Sequence, residues 1–182
     1  MKSSAVGFFA FAALTSASPD QGPPIVEPEM PAPSGLEAAM QRSEFAEIYL
    51  ISRSIIFAVA PRPATVRHSG CRYFIYRNSP EWDELERTLA DADVRIVPSA
   101  RTGEARVAFI LGDHAGTLWE AYARYPYPSE SAVPGFSQRR QAAISAGFVL
   151  ALERFAERHP DLALPAAGPV PRCPAAVRQS RP

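Results

Sequence analysis

The sequence predicts a single α+β domain in which a small mixed or antiparallel sheet of about four strands has helices packed on one face, as in a two-layer structure. Short β-rich segments and amphipathic helical segments follow one another in the order helix, strand, strand, helix, strand, strand, helix, helix. Pro-rich stretches bound this region on both sides, which places the globular domain at residues 35–160. We therefore expect one core between the sheet and its helices.

The first half of the domain is predicted to begin with one helix followed by two strands. The helix covers residues 36–50, where apolar side chains recur on one side. The run IIFAV at 55–59 is rich in β-branched residues and is soon followed by Pro61, so it is predicted as a buried strand. The segment RYFIYR at 72–77 lies between turn-forming residues and predicts the second strand.

The helix predicted over residues 80–91 has the most complete set of local signals. Ser79 can cap its N-terminus, and Pro80 suits the first turn. Acidic residues in that turn interact favourably with the helix dipole. Apolar residues at helical spacing form one stripe, which consists of Trp82, Leu85 and Leu89. We expect this stripe to pack against the sheet.

The second half of the domain is predicted to begin with a β-hairpin and to end with helices. Strands at 94–97 and 106–111 flank a turn, as in a hairpin with a longer loop. A short helix is expected over 118–125, and a loop with three prolines over 125–136. The longest helix is expected over 138–158, because its apolar residues recur at helical spacing.

The N-terminal residues 1–17 have the pattern of a cleavable signal peptide. Lys2 supplies a positive charge, residues 5–14 are uncharged and apolar, and residues 15–17 are small. Ten apolar residues are too few to cross a bilayer, which needs about 20. Residues 18–34 contain six prolines in seventeen residues, which predicts an extended linker.

Residues 45–60 form another apolar stretch, but they do not have the composition of a membrane span. Glu47 and Arg53 lie within this stretch, and each costs about 2.5–3.5 kcal/mol near the centre of a membrane helix. We therefore expect no integral membrane segment after signal cleavage, and we expect a periplasmic or secreted protein.

Composition and motifs exclude several classes of partner and cofactor. The chain has 19 basic and 19 acidic residues, and this balance argues against nucleic acid as a partner, since nucleic-acid binding needs a basic surface. No glycine-rich phosphate loop is present, so no cofactor is expected. We expect no metal site either, because His68 and Cys71 supply too few ligands for zinc.

The chain has two cysteines, Cys71 and Cys173, and export would place them in an oxidising compartment. We expect them to form a disulfide that tethers a Pro-rich C-terminal tail at residues 161–182. A bridge between two chains, or two buried thiols, is the alternative.

Asp113 and His114 are the first candidate site, because they follow a predicted strand and precede a predicted helix. A carboxylate beside an imidazole can orient a general base, which suggests a small hydrolase. Neighbouring residues seldom point the same way, however, and no nucleophile accompanies the pair. The structural alternative is that Asp113 starts the helix.

Two further sets of residues are candidates for binding. Trp119 and Tyr125 belong to a group of aromatic residues around the Pro-rich loop, a composition that suits a protein partner, although both can equally be core residues. Arg139 and Arg140 lie in the first turn of the predicted 138–158 helix, which Ser137 would cap. There they can bind an anion together with free amide groups, or they can pair with nearby acidic residues.

These observations favour an exported, non-enzymatic protein that binds an unknown protein or small ligand in the cell envelope. The motivating observation is that no coherent catalytic set accompanies the aromatic residues. A small hydrolase that uses Asp113 and His114 is the first alternative, and a structural envelope protein is the second.

Mass spectrometry of the exported protein tests the two sequence features behind this localisation. We expect the mature chain to start near Ser18 and to have a mass two hydrogens below that of the reduced chain. An intact Met1, or two free thiols in correctly exported material, would contradict the prediction.

Overall fold

The computed structural model describes residues 35–90, 97–98, 104–164 and 173. The predicted signal peptide, the linker and most of the C-terminal tail lie outside the described residues. The described elements, in chain order, are α1 (Gly35–Arg42), β1 (Phe45–Leu50), α2 (Pro63–Ser69), β2 (Cys71–Tyr76), α3 (Pro80–Ala90), β3 (Val97–Pro98), β4 (Val107–Asp113), β5 (Gly116–Ala123), β6 (Ala132–Ser137), β7 (Arg140–Ser145), α4 (Ala146–Arg158), a 3-10 turn (Pro160–Leu162) and β8 (Ala163–Leu164).

The strands form one sheet in the order β3-β7-β6-β5-β4-β1-β2-β8, and every neighbouring pair is antiparallel. The two edge strands, β3 and β8, are two residues long. The predicted combination of helices with an antiparallel sheet is confirmed. The expected number of about four strands is wrong, because the described part of the chain contributes eight.

One face of the sheet is covered by α1, α3 and α4, and we call it the helix-covered face. The predicted stripe of Trp82, Leu85 and Leu89 packs there, as do the buried side chains of α4. Phe109 of β4 contacts Trp119 and Phe148 edge-on, with ring centres 6.0 and 5.7 Å apart. This face holds the main core of the domain.

The opposite face, which we call the second face, is covered only at one end in the described part of the chain. Val66 of α2 is buried there against Tyr49, Ala108 and Tyr122. Ile55 and Phe57, from the connection between β1 and α2, pack against the same cluster. The expectation that helices lie on one face therefore holds for α1, α3 and α4 but is wrong for α2.

The helix predicted over 36–50 is wrong in its second half, where the chain forms β1. Helix α1 ends at Arg42, and the hydroxyl of Ser43 donates a hydrogen bond to the carbonyl of Ala39 at 2.6 Å. The following residues alternate between the two faces, with Ala46, Ile48 and Leu50 in the main core. The segment FAEIYL fits both a helical and a strand pattern, so the sequence alone did not show which of the two structures it forms.

Two other predicted elements differ in type from the observed ones. The segment at 55–59 is a loop rather than a buried strand, and its Ile56 side chain is 94% exposed. The segment at 118–125 was predicted to be helical, but most of it belongs to strand β5. Leu118, Trp119 and Tyr122 also fit a helical pattern, and this produced the error.

The predicted 94–97/106–111 hairpin is wrong in its pairing. Strand β4 pairs with β1 and β5, whereas Val97 of β3 pairs with Ala143 of β7. Residues 94–96 lie outside the described residues. The local predictions for β2, α3 and β4 are confirmed within one or two residues at each end. Ser79 does not cap α3 through its side chain, because its hydroxyl has no hydrogen-bond partner among the residues that the structure describes.

The helix predicted over 138–158 begins eight residues later, at Ala146. Ser145 caps it by accepting a 3.1 Å hydrogen bond from the amide of Phe148. Ser137 is therefore not the cap but the last residue of β6. The helix is amphipathic, and its buried side chains lie on the helix-covered face. None of the described helices has the length and apolar character that crossing a membrane requires.

Helices α3 and α4 are joined by a polar cluster at the C-terminus of α4. Arg158 Nε donates to Glu84 Oε1 at 2.8 Å, and His159 Nε2 lies 3.0 Å from Glu84 Oε2. The hydrogen bond from Arg158 lowers the pKa of the Glu84 carboxyl, and the contact with His159 lowers it further. This cluster fixes the position of α3 relative to α4.

The predicted Cys71–Cys173 disulfide is confirmed and joins residues 102 positions apart. Cys71 is the first residue of β2 and is buried, while Cys173 is partly buried against the main core. The bridge therefore fixes one point of the tail to the sheet.

We expect loss of this bridge to destabilise the fold substantially. In the chain-entropy model, a loop of about 100 residues contributes up to about 4.7 kcal/mol to the free energy of unfolding. Urea unfolding of the wild type and of the Cys71→Ala/Cys173→Ala double variant measures the difference. The reduced wild type is the control and should match the variant. An unchanged free energy of unfolding would refute a stabilising role for the bridge.

Candidate functional site

The predicted site residues Asp113 and His114 lie in the hairpin turn between β4 and β5. Asp113 Oδ1 accepts hydrogen bonds from the amides of Ala115 and Gly116, at 2.8 and 3.0 Å. The His114 ring is exposed, and its Nδ1 lies 3.2 Å from Oε1 of the exposed Glu44. Asp113 thus stabilises the turn and does not orient the imidazole, and it does not start a helix because β5 follows.

Trp119 and Tyr125 are core residues and offer no surface to a partner in this fold. Their exposed fractions are 3% and 8%. Trp119 packs edge-on against the rings of Phe109 and Phe148, which also contact each other. The guanidinium of Arg53 covers the ring of Tyr125, 4.2 Å from its centre. The structure therefore supports the core alternative for both aromatics.

Arg139 and Arg140 lie in the β6–β7 hairpin rather than in the first turn of a helix. Gln138 and Arg139 both have positive φ angles, 49° and 61°, as in the turns that favour tight β-hairpins. Both arginines are exposed. Since helix α4 starts at Ala146, they cannot combine with its free amides, and the predicted anion site is not formed.

A different group of residues comes together on the uncovered end of the second face. Phe45 of β1 and Phe74 and Tyr76 of β2 form a continuous group that we call the aromatic patch. The rings of Phe45 and Phe74 are stacked with centres 5.1 Å apart, and Tyr76 meets Phe74 edge-on at 4.7 Å. Tyr76 is 61% exposed.

The backbone of β4 allows the Phe45 ring to lie across it. Gly112 pairs with Phe45, and a Cβ atom at this glycine would be 2.5 Å from Phe45 Cζ. A side chain at this position would therefore displace the ring. Because residue 112 is glycine, the aromatic patch can reach from β2 across β1 to β4.

Two Arg–Glu–Tyr groups lie on the same face of the sheet as the aromatic patch. In the first, Arg72 Nη2 donates to Glu47 Oε1, and the hydroxyl of Tyr49 donates to Glu47 Oε2 at 2.7 Å. The guanidinium of Arg72 also lies 5.0 Å from the centre of the Phe74 ring. This group connects β1 with β2 and borders the patch directly.

The second group is formed by β5 and α2. Arg67 Nη2 donates to Glu120 Oε2 at 2.7 Å, and the hydroxyl of Tyr122 donates to the same oxygen at 3.1 Å. The two groups are placed symmetrically about β4. Ile110 lies opposite both glutamates, and Ala108 lies opposite both tyrosines.

Both tyrosines have raised pKa values, chiefly because they are buried. Burial raises the pKa of Tyr49 to about 12, and the neighbouring Glu47 raises it further. Burial likewise raises the pKa of Tyr122 to about 12, against the opposing effect of Arg67. Both phenols therefore stay protonated at neutral pH and act as donors to the carboxylates.

This arrangement is suited to binding rather than to proton transfer. Each glutamate already accepts hydrogen bonds from a guanidinium and a phenol, so both carboxylates are held in place as acceptors. Their backbones are separated by two strand spacings, which is about 10 Å. Among the described residues, no group of three or more His, Cys, Asp or Glu could hold a metal ion.

The sequence contained only part of the signal for this surface. The alternating RYFIYR segment predicted that Arg72 and Phe74 share one face of a strand. Glu47 and Tyr49 were assigned to a helix, and Glu120 and Tyr122 to another, so their meeting across β4 was not foreseen.

Comparisons with known proteins supply no family for this chain. No protein-family model, no curated protein and no solved structure matches it.

We expect the stability of the protein to fall as the pH rises from about 10 to 12. The folded-state pKa values of Tyr49 and Tyr122 lie above the ordinary value near 10, so their contribution is complete below pH 10 and is lost above it. Denaturant unfolding at several pH values measures this loss. The Tyr49→Phe/Tyr122→Phe variant should lose less stability over the same interval, with a remaining slope from Tyr73 and Tyr125, whose pKa values are also raised by burial. If stability depended on pH identically in both proteins, the loss could not be attributed to Tyr49 and Tyr122.

Proposed function

We propose that this chain is an exported, non-enzymatic protein of the cell envelope that binds a protein partner through the aromatic patch. The observation that carries the proposal is the patch itself, in which Tyr76 is exposed and the two phenylalanines are half-buried, and which is continuous with an arginine and a carboxylate on an open sheet face. Phe45, Phe74 and Tyr76 lie in contact there, and Arg72 and Glu47 border them.

The disulfide supports the extracytoplasmic part of the proposal. Disulfides persist in oxidising compartments and are rare in the cytosol of most organisms. Cys71 and Cys173 are bonded to each other. The predicted signal peptide concerns residues outside the described part of the chain, so the bridge is the structural support for export.

The composition of the patch supports a protein partner. Aromatic residues and arginine are enriched in the buried centres of protein–protein interfaces, and tyrosine and arginine supply much of the binding energy there. Tyr76 is the most exposed of the patch residues and lies next to the sheet edge, where β8 pairs only with Arg72 and Tyr73 in the described structure. A partner can therefore approach the patch from the face and from the edge.

Site-specific photo-crosslinking in the producing cells tests this proposal. A photoreactive phenylalanine analogue replaces Tyr76 in one strain and Tyr127 in another. Tyr127 is a matched control, because it is also an exposed tyrosine, 67% exposed, but lies in the β5–β6 loop. We expect a discrete adduct with one envelope protein from position 76 and none of the same mass from position 127.

The identified partner then allows a quantitative measurement with purified proteins. We expect Tyr76→Ala to weaken binding about 30-fold, which corresponds to about 2 kcal/mol at an interface hot spot. Tyr127→Ala should leave the dissociation constant unchanged. The same adducts at both positions, or adducts at neither, would refute a localised binding surface on this face.

A further inference from the structure

The connection between β1 and α2 presents aliphatic side chains to solvent, and we call residues 55–60 the apolar loop. Ile56 is 94% exposed and Val59 is 76% exposed, and Ala58 and Ala60 are exposed beside them. Exposed fractions this high show that both large side chains protrude from the surface. Transfer of these two side chains from water to an apolar phase would be favourable.

The loop is held so that these side chains point outward. Arg106 Nη1 donates to the carbonyls of Ser52 and Ile55, at 3.3 and 2.8 Å. The same guanidinium lies 5.4 Å from the centre of the Phe57 ring. Ile55 and Phe57 pack against the second face, which leaves Ile56 between them directed away from it.

Among the described residues, the arginines that contact the loop or lie near it in sequence are paired with glutamates, so the basic group that favours an anionic surface is Arg62. The sequence from Ile48 to Pro80 contains five arginines and no Asp or Glu. Arg53 and Arg67 are paired with glutamates from other elements. Arg62, two residues after the loop, is exposed and forms no ion pair within the described residues. It is therefore available to a negatively charged partner beside the protruding aliphatic side chains.

We propose that the apolar loop inserts into the surface of an anionic lipid bilayer and attaches the protein to it reversibly. Aliphatic side chains beside basic residues are the combination that binds the interface of anionic membranes. The protruding side chains of the loop are aliphatic, whereas the centres of protein interfaces are enriched in aromatic residues. A bilayer needs no matching shape, so two protruding side chains suffice for weak binding.

Vesicle co-sedimentation tests the proposal with the full disulfide-bonded chain. The vesicles contain either a mixture of phosphatidylglycerol and phosphatidylcholine or phosphatidylcholine alone. We expect binding to the anionic vesicles that falls at least about ten-fold in Ile56→Ser/Val59→Ser. Arg62→Gln should weaken binding and reduce its dependence on salt. All variants have the same segment before residue 35, so any binding by that segment is a common background.

Tyr127→Ser is the matched control, because it removes an exposed large side chain elsewhere and should bind like the wild type. Thermal unfolding should be unchanged in the loop variant, since both substituted side chains are exposed. In a second measurement, Ile56→Trp should show a blue shift of its fluorescence when anionic vesicles are added. Trp82 and Trp119 are buried and give a constant background.

Three outcomes would overturn the inference. The first is anionic-vesicle binding that is the same in the wild type and the Ile56→Ser/Val59→Ser variant, and the second is no binding by either. The third is self-association of the wild type that the loop substitutions abolish without any effect on lipid binding, because the loop would then be an interface between two copies.

Discussion

Strand β4 is the element on which the packing of both faces of the sheet depends. It lies between β1 and β5, and its residues from Val107 to Leu111 are buried on both faces of the sheet. Phe109 and Leu111 contribute to the main core, while Ala108 and Ile110 contribute to the cluster on the second face. A short continuous apolar run is the sequence expected of a strand that is buried on both sides. Its register therefore determines which residues of the neighbouring strands meet.

The small side chain of Ala108 has a specific consequence for the second face. Tyr49 and Tyr122 flank it from the two neighbouring strands, and Val66 of α2 packs in the same cluster. Burial in this cluster keeps both phenols protonated, so they hold Glu47 and Glu120 by hydrogen bonds. The polar groups beside the aromatic patch are thus positioned before any partner binds, which reduces the entropy cost of binding.

The elements that the sequence predicted correctly are those whose local signals agree with one another. Helix α3 combines a proline in its first turn, acidic residues there and one apolar stripe, and β2 alternates clearly. Strand β5 was mistaken for a helix because its large apolar residues also fit a helical spacing, and Ala121 and Ala123, which face the core, are good helix formers and did not contradict it. The apolar loop was mistaken for a strand because composition cannot show whether a partner strand is present. The groups on the second face form because β1 and β5 both pair with β4. The pattern of a single sequence does not show which strands pair, so these groups could not be predicted from it.

The two surfaces proposed for binding lie at opposite ends of β1 and can be used together. The aromatic patch begins at Phe45, and the apolar loop follows the other end of the strand, after Ile51. Six residues of extended chain separate these positions by about 20 Å. This distance is close to the whole length of a typical strand, so contact of the loop with a bilayer leaves Tyr76 accessible. A protein attached to the membrane through the loop would therefore keep its aromatic patch available, and attachment would confine the search for an envelope partner to the membrane surface.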